Sequence, residues 1–126
     1  MYTILIVEDN KDIRDNLKRI LKPERFRVLL AKDGLDAFQN IMINIPDLII
    51  SDIDMPYVNG MELLKAIRDN SKTCSIPFIF LTSNNDNQKL REGLALSAKH
   101  YITKPFDVSF LLNTIKSLIQ EENCFN

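Results

Sequence analysis

The sequence predicts an α/β fold in which a parallel five-stranded sheet lies between two layers of helices. Two observations carry this. Short β-branched apolar runs without a polar face alternate with segments whose apolar residues recur at helical spacing, and the cycle repeats five times along 126 residues. Strands with no polar face are covered on both sides, and right-handed crossovers place the connecting helices on the two faces. A chain of this length fits one domain, here taken as residues 1–126 with a core over about 2–120.

The first strand is expected over residues 2–7. Asp9 and Asn10 are candidate N-caps for a helix with Ile13, Leu17, Ile20 and Leu21 inward, broken by Pro23. Residues 26–31 form the second strand and Lys32-Asp33-Gly34 a turn. The next helix is expected to turn Leu35, Phe38, Ile41 and Met42 inward. Residues 47–51 are the third strand, followed after Gly60 by a helix with Met61, Leu64 and Ile67 inward. A polar connection leads to the strand at 78–82 and a helix over about 88–96. The last strand is at 101–103, and Leu111, Leu112, Ile115, Leu118 and Ile119 mark a final helix.

Composition excludes several classes of function. Sixteen basic and seventeen acidic side chains leave a net charge of −1, so no basic footprint for nucleic acid or an anionic membrane is present. No apolar segment reaches the ~20 residues that span a bilayer, and the N-terminus lacks the basic start of a signal peptide, which predicts a cytoplasmic protein. Cys74 and Cys124 match no metal or redox spacing and are expected to be free thiols.

In open parallel sheets the working crevice lies beyond the carboxyl ends of the strands. Those positions hold Glu8 and Asp9, then Asp52, then Thr82 and Ser83, then Lys104. Taken singly, each has a structural explanation: an acidic pair caps a helix, Thr-Ser does the same, and Lys-Pro makes a turn. Together on one sheet edge they do not. Carboxylates within about 4–6 Å repel by up to ~4 kcal/mol per pair at an effective dielectric of 20, so a cation belongs among them. Oxygen donors without a histidine or cysteine cluster suit Mg²⁺ rather than zinc. Beside such an ion Asp52, in "LIISDIDMP", is a competent nucleophile for phosphorus, with Lys104 and the Thr82 hydroxyl placed to hold the phosphoryl oxygens. Asp54 is placed to address the metal or its water, and Gly60 permits a tight entry into the third helix. Asp54 and Asn84, two residues beyond Asp52 and Thr82, should border the path of attacking water and set the phosphoryl lifetime.

The segments "ILIVEDN", "DLIISDIDMPYVNGMELL", "IPFIFLTS" and "HYITKPFD" occur in this order over nearly the whole chain. They resemble the successive signatures of bacterial response-regulator receiver domains of the chemotaxis-regulator kind. The resemblance implies a flavodoxin-like (βα)5 three-layer sandwich of strand order 2-1-3-4-5. It implies a two-component phosphorelay in which a sensor histidine kinase or phosphotransfer protein gives phosphate to Asp52. Glu8 and Asp9 would be the acidic Mg²⁺ pair, joined by Asp52 and the backbone carbonyl of Asp54. Thr82 would be the switch hydroxyl, Tyr101 the switch aromatic, and Lys104 the phosphate-contacting lysine before a cis Lys104-Pro105 bond. A downstream effector, or a second copy in a weak phosphorylation-dependent homodimer, would read the face made by the fourth helix, fifth strand and fifth helix, about 89–96, 99–103 and 111–118. Such a domain acts chemically only on itself and is not an enzyme in the ordinary sense.

Ser97-Ala98-Lys99-His100 stands where the family often has Gly-Ala-Asp-Asp, which alters a common partner surface. His100 is expected to be an exposed strand residue rather than a phosphocarrier. Two other readings are open. The Asp-x-Asp after a strand, with a later Thr and Lys, is similar to haloacid-dehalogenase-like phosphatases, but there the remaining metal acids follow the lysine, whereas Glu8 and Asp9 precede the nucleophile. A degenerate receiver that only docks partners would not need the complete residue set.

Overall fold

The computed structural model describes residues 2–53, 55, 57–82, 100–104 and 106–123. Five strands, β1 (Thr3–Val7), β2 (Arg27–Ala31), β3 (Leu48–Asp52), β4 (Phe78–Thr82) and β5 (His100–Thr103), form one parallel sheet in the order β2-β1-β3-β4-β5. This is the flavodoxin-like arrangement. The chain winds one way from β1 to β2 and the other way from β3 onward, so a crevice opens at the carboxyl ends of β1 and β3.

Alternating strand residues feed two cores, which makes three layers. Leu5, Val7, Ile49, Phe78 and Phe80 face α2 (Gly34–Ile43) and α3 (Gly60–Arg68), where Ala37, Ile41, Leu63, Leu64 and Ile67 meet them. Ile4, Ile6, Ile50, Ile79 and Leu81 face α1 (Lys11–Leu21) and the C-terminal helix (Val108–Asn123), through Leu17, Leu21, Leu111, Ile115 and Leu118. The fully buried central strands explain their lack of a polar face. β2 is an edge strand and correspondingly more exposed.

Local chemistry starts and stops the helices. Asn10 caps α1 by accepting from the Ile13 amide, and Pro23 sits in a 3-10 turn, Lys22–Glu24, that ends it. Asn59 and Glu62 form a capping box at α3, a signal present in the sequence as Asn-Gly-Met-Glu.

Three expectations are corrected. β3 runs to Asp52 rather than stopping at Ser51, because Asp52 still pairs in register with Leu81. α3 buries Leu63 beside Leu64 and Ile67, while Met61 is only half-buried. α2 turns Gly34, Ala37 and Ile41 inward and leaves Leu35, Phe38 and Met42 exposed. Small residues win there because the helix lies close to its neighbours: a Cβ on Gly34 would stand 2.3 Å from the Val58 carbonyl oxygen. The helix expected over about 88–96, the segment 97–99 and Cys124 lie outside the described residues, as does the His100 side chain. Cys74 is a free, exposed thiol.

Candidate functional site

Strand register brings the chemistry together. Val7 pairs with Ser51, Asp52 with Leu81 and Thr82 with Thr103, so the residues at the ends of β1, β3, β4 and β5 share one edge of the sheet. Glu8 is fully buried there, held by its amide donating to the Ala31 carbonyl at 3.0 Å. The Asn10 amide donates to Glu8 Oε2 at 3.3 Å, and Arg14 Nη1 donates to the Glu8 carbonyl at 2.8 Å. Arg14 therefore clamps the turn between β1 and α1, a role that no spacing in the sequence announced.

Asp52, the last residue of β3, is buried with its carboxylate at the crevice. Its backbone is fixed twice. Ser51 Oγ donates to the Asp52 carbonyl at 2.8 Å, and Gly60 lies so close that a Cβ would stand 2.2 Å from that oxygen. Gly60 is thus needed for close approach, which holds the β3–α3 loop against the end of the strand.

Carboxylate oxygens of Glu8, Asp9 and Asp52 lie within 4.8 Å of one another, two of these residues buried and Asp9 exposed. Lys104 Nζ stands 2.5 Å from Glu8 Oε1 and 3.4 Å from Asp52 Oδ2. This ammonium offsets part of the charge of the three acids. Burial pushes the Glu8 carboxyl up to about 7, with the charge of Asp52 acting in the same direction and the hydrogen bond from Lys104 opposing it. Burial alone would lower Lys104, but the hydrogen bond to Glu8 and the charge of Asp52 outweigh it and hold the ammonium above its ordinary value.

The donor set fits a hard divalent ion. Oxygens on one Mg²⁺ at 2.0–2.1 Å lie up to about 4 Å apart, a spacing that small side-chain adjustments of the three acids would reach. Next to the cluster, an open cavity of about 330 Å³ is lined by Ile13, Asn16, Lys104, Phe106 and Val108.

Of the residues singled out from sequence, Glu8, Asp9, Asp52 and Lys104 converge. Tyr101 is half-buried and stacks on Phe80 with ring centroids 5.6 Å apart. The Thr82 backbone ends β4, while the Thr82 side chain, Asp54, Asn84 and Pro105 with its expected cis bond lie outside the described residues.

Fold and crevice together define a doubly wound α/β domain with an acidic, lysine-bearing site at its topological switch point. The chain belongs to the response regulator receiver domain family, whose model matches residues 4–116. It is a receiver domain of two-component systems. It is 41% identical over 118 residues to histidine kinase P4 of Formosa agariphila, covering 94% of this chain and 8% of that protein. It is 34% identical over 122 residues to the response regulator ArlR of Staphylococcus saprophyticus, covering 97% of this chain and 54% of that protein. Among solved structures, the Vibrio cholerae chemotaxis protein CheY4 matches with a TM-score of 0.88 at 33% identity, covering 93% of this chain and 98% of that one. The receiver domain of a Syntrophus aciditrophicus signal transduction histidine kinase matches with a TM-score of 0.89 at 31% identity, covering 96% and 92%. The chain spans between 8% and 58% of the length of the first curated relatives it matches. Among the described residues, no helix is long and apolar enough to cross a membrane.

Proposed function

We propose that this receiver domain accepts a phosphoryl group on Asp52 from a phosphohistidine on a sensor kinase or phosphotransfer protein. The observation that carries the reading is the meeting of the Glu8, Asp9 and Asp52 carboxylates with the Lys104 ammonium at one sheet edge. An Asp52 oxygen forms the new O–P bond as the N–P bond to imidazole breaks. Lys104, already 3.4 Å from Asp52, then holds an oxygen of the phosphoryl group, and the Thr82 hydroxyl holds another. Glu8, Asp9, Asp52 and the Asp54 carbonyl would hold Mg²⁺, which supplies charge neutralisation of the incoming phosphoryl oxygens. The rigid Asp52 backbone fixes the nucleophile so that little reorganisation accompanies attack.

The donor domain docks over the cavity beside Lys104, whose Ile13, Phe106 and Val108 walls offer apolar contact within reach of the crevice. Asp54 and Asn84 tune the phosphoryl lifetime. Thr82 and Tyr101 transmit phosphorylation to the face at about 89–96, 99–103 and 111–118, which an effector or a phosphorylation-dependent second copy reads. Residues 1–126 act as one cytoplasmic receiver domain, with its core over about 2–120, whether alone or within a longer chain. It turns over no separate substrate.

The test is intact-mass measurement after incubation with a small phosphodonor such as acetyl phosphate. One phosphoryl adduct that requires Mg²⁺ supports the reading. Failure of any adduct to form with Mg²⁺ present contradicts it.

A further inference from the structure

We propose that the outward face of α2 is a self-association surface, on which a second copy of this chain docks its own α2 about a two-fold axis. Leu35, Phe38 and Met42 recur at i, i+3 and i+7 and form a ridge along the helix, and Ile43 and Ile45, at and just beyond its C-terminal end, are exposed as well. They are 49, 40, 61, 80 and 51% exposed, in that order, five of the eight large apolar side chains found exposed among the described residues. Single exposed apolar residues need no explanation, but a contiguous ridge does.

The exposure is enforced by packing. Gly34, Ala37 and Ile41 occupy the inward face, and the helix already lies so close to Val58 that the missing Cβ of Gly34 would clash with backbone. Rolling α2 to bury Leu35 would drive a larger side chain into that contact. The ridge therefore stays outside in the folded monomer.

Charge and area point to a second copy as the occupant. Lys32 and Lys65 are separated by a stretch with no basic residue, and Asp36 is the single charged residue on α2. Its carboxylate is engaged locally, accepting from the Lys32 amide and from Asn40 Nδ2. A two-fold contact sets the same patch of the two copies against each other, so a charge-poor face meets itself without like-charge repulsion. α1, by contrast, carries six charged side chains, Lys11, Asp12, Arg14, Asp15, Lys18 and Arg19. At roughly 100 Å² each, the five side chains offer about 500 Å², the size of the largest patch on an ordinary monomer. Paired with itself, the ridge buries about 1,000 Å² before any rim is counted, close to the lower end of about 1,200–2,000 Å² for specific interfaces. That is the size of a weak, reversible dimer. The surface belongs to α2, which packs beside the edge strand β2, whereas Asp52 ends the central strand β3 and β5 is the other edge of the sheet, and the proposed contact uses no residue of the acidic site.

Sedimentation equilibrium of the full chain from about 10 to 500 µM, without metal or phosphodonor, tests this. The expected result is a mean mass that rises toward the dimer, with amide shifts on dilution concentrated at residues 34–45. Met42→Lys and Ile45→Lys, both at exposed positions, should each lower the association constant about tenfold or more while leaving the thermal melt of the monomer unchanged. A mass that stays monomeric to the top of the range overturns the proposal, and so does association that both substitutions leave intact. The measurement is independent of phosphoryl chemistry, so it stands whether or not Asp52 is the acceptor.

Discussion

Lys104 reaches Glu8 before it reaches Asp52: its ammonium is 2.5 Å from one carboxylate and 3.4 Å from the other. The cation at the centre of the acidic cluster is thus tied first to a fully buried acid that ordinary solvation would not keep ionised. In the metal-free protein this couples stability, proton binding and metal binding at one residue.

Glu8 therefore makes stability fall as pH rises. Its folded-state value of about 7 lies above its ordinary 4.5, so between these values the native state holds a proton that the unfolded chain has lost. The contribution is complete below about 4.5 and gone above about 7, on the order of 3 kcal/mol in all. Denaturant melts of metal-free protein from pH 5 to 8 should show this slope relative to Glu8→Gln, whose profile is flatter. A Glu8→Gln profile parallel to wild type would refute the assignment. Because Mg²⁺ needs the ionised acid, its affinity should fall as pH drops below about 7.

Removing the ammonium isolates the acid. Lys104→Met should destabilise the metal-free protein by about 2–3 kcal/mol at pH 8, since breaking a buried pair leaves an uncompensated charge. At pH 5, where Glu8 is protonated, the loss should be less than half of that. Chemical denaturation at the two pH values checks the difference, and an equal loss at both would contradict the pairing.

Tyr57 occupies the left-handed region at φ 67° in the loop between β3 and α3, with its side chain 84% exposed. A residue with a Cβ is strained there by roughly 1–2 kcal/mol. Tyr57→Gly should raise the unfolding free energy by about 0.5–1 kcal/mol in urea melts, some of the relieved strain being offset by greater freedom of the unfolded chain. A destabilised Tyr57→Gly protein would mean that the exposed ring makes a compensating contact.

Coupling from the crevice to residues 99–103 should depend on Thr82. If Asp52 is the acceptor, about two negative charges arriving there would favour an inward Thr82 hydroxyl donor, and the space so vacated would let Tyr101, which stacks on Phe80, change its packing. Thr82→Ala should leave Asp52 phosphorylatable but weaken the coupling by ~1–3 kcal/mol. Amide NMR shifts at 99–103, with and without a beryllofluoride mimic, measure it. Identical responses in wild type and Thr82→Ala would exclude the threonine as a switch.

The convergence of Glu8, Asp9, Asp52 and Lys104 was legible in the sequence because strand ends are marked by abrupt changes from apolar to charged residues, whereas the sheet order followed only from the family resemblance. Position along a parallel sheet then does the rest, since register carries each strand end to the same edge. Of the inward face of α2 only Ile41 was legible. Hydropathy favoured Leu35, Phe38 and Met42, whereas the structure buries Gly34 and Ala37, with Gly34 in close approach to Val58, and close approach is a tertiary property. Arg14 and Ser51 escaped notice for a related reason: each acts by donating to a backbone carbonyl, of Glu8 and of Asp52, and backbone acceptors leave no trace in residue type. The asymmetry of Lys104 toward Glu8 likewise depends on distances that spacing does not encode.

Whether Asp52 takes up the phosphoryl group is decided by intact-mass spectrometry of wild type beside Asp52→Asn, each incubated with acetyl phosphate and Mg²⁺. The amide keeps the shape of the side chain but is a poor nucleophile for phosphorus. One phosphoryl adduct on wild type and none on Asp52→Asn is the result expected. An undiminished adduct on Asp52→Asn would contradict the assignment.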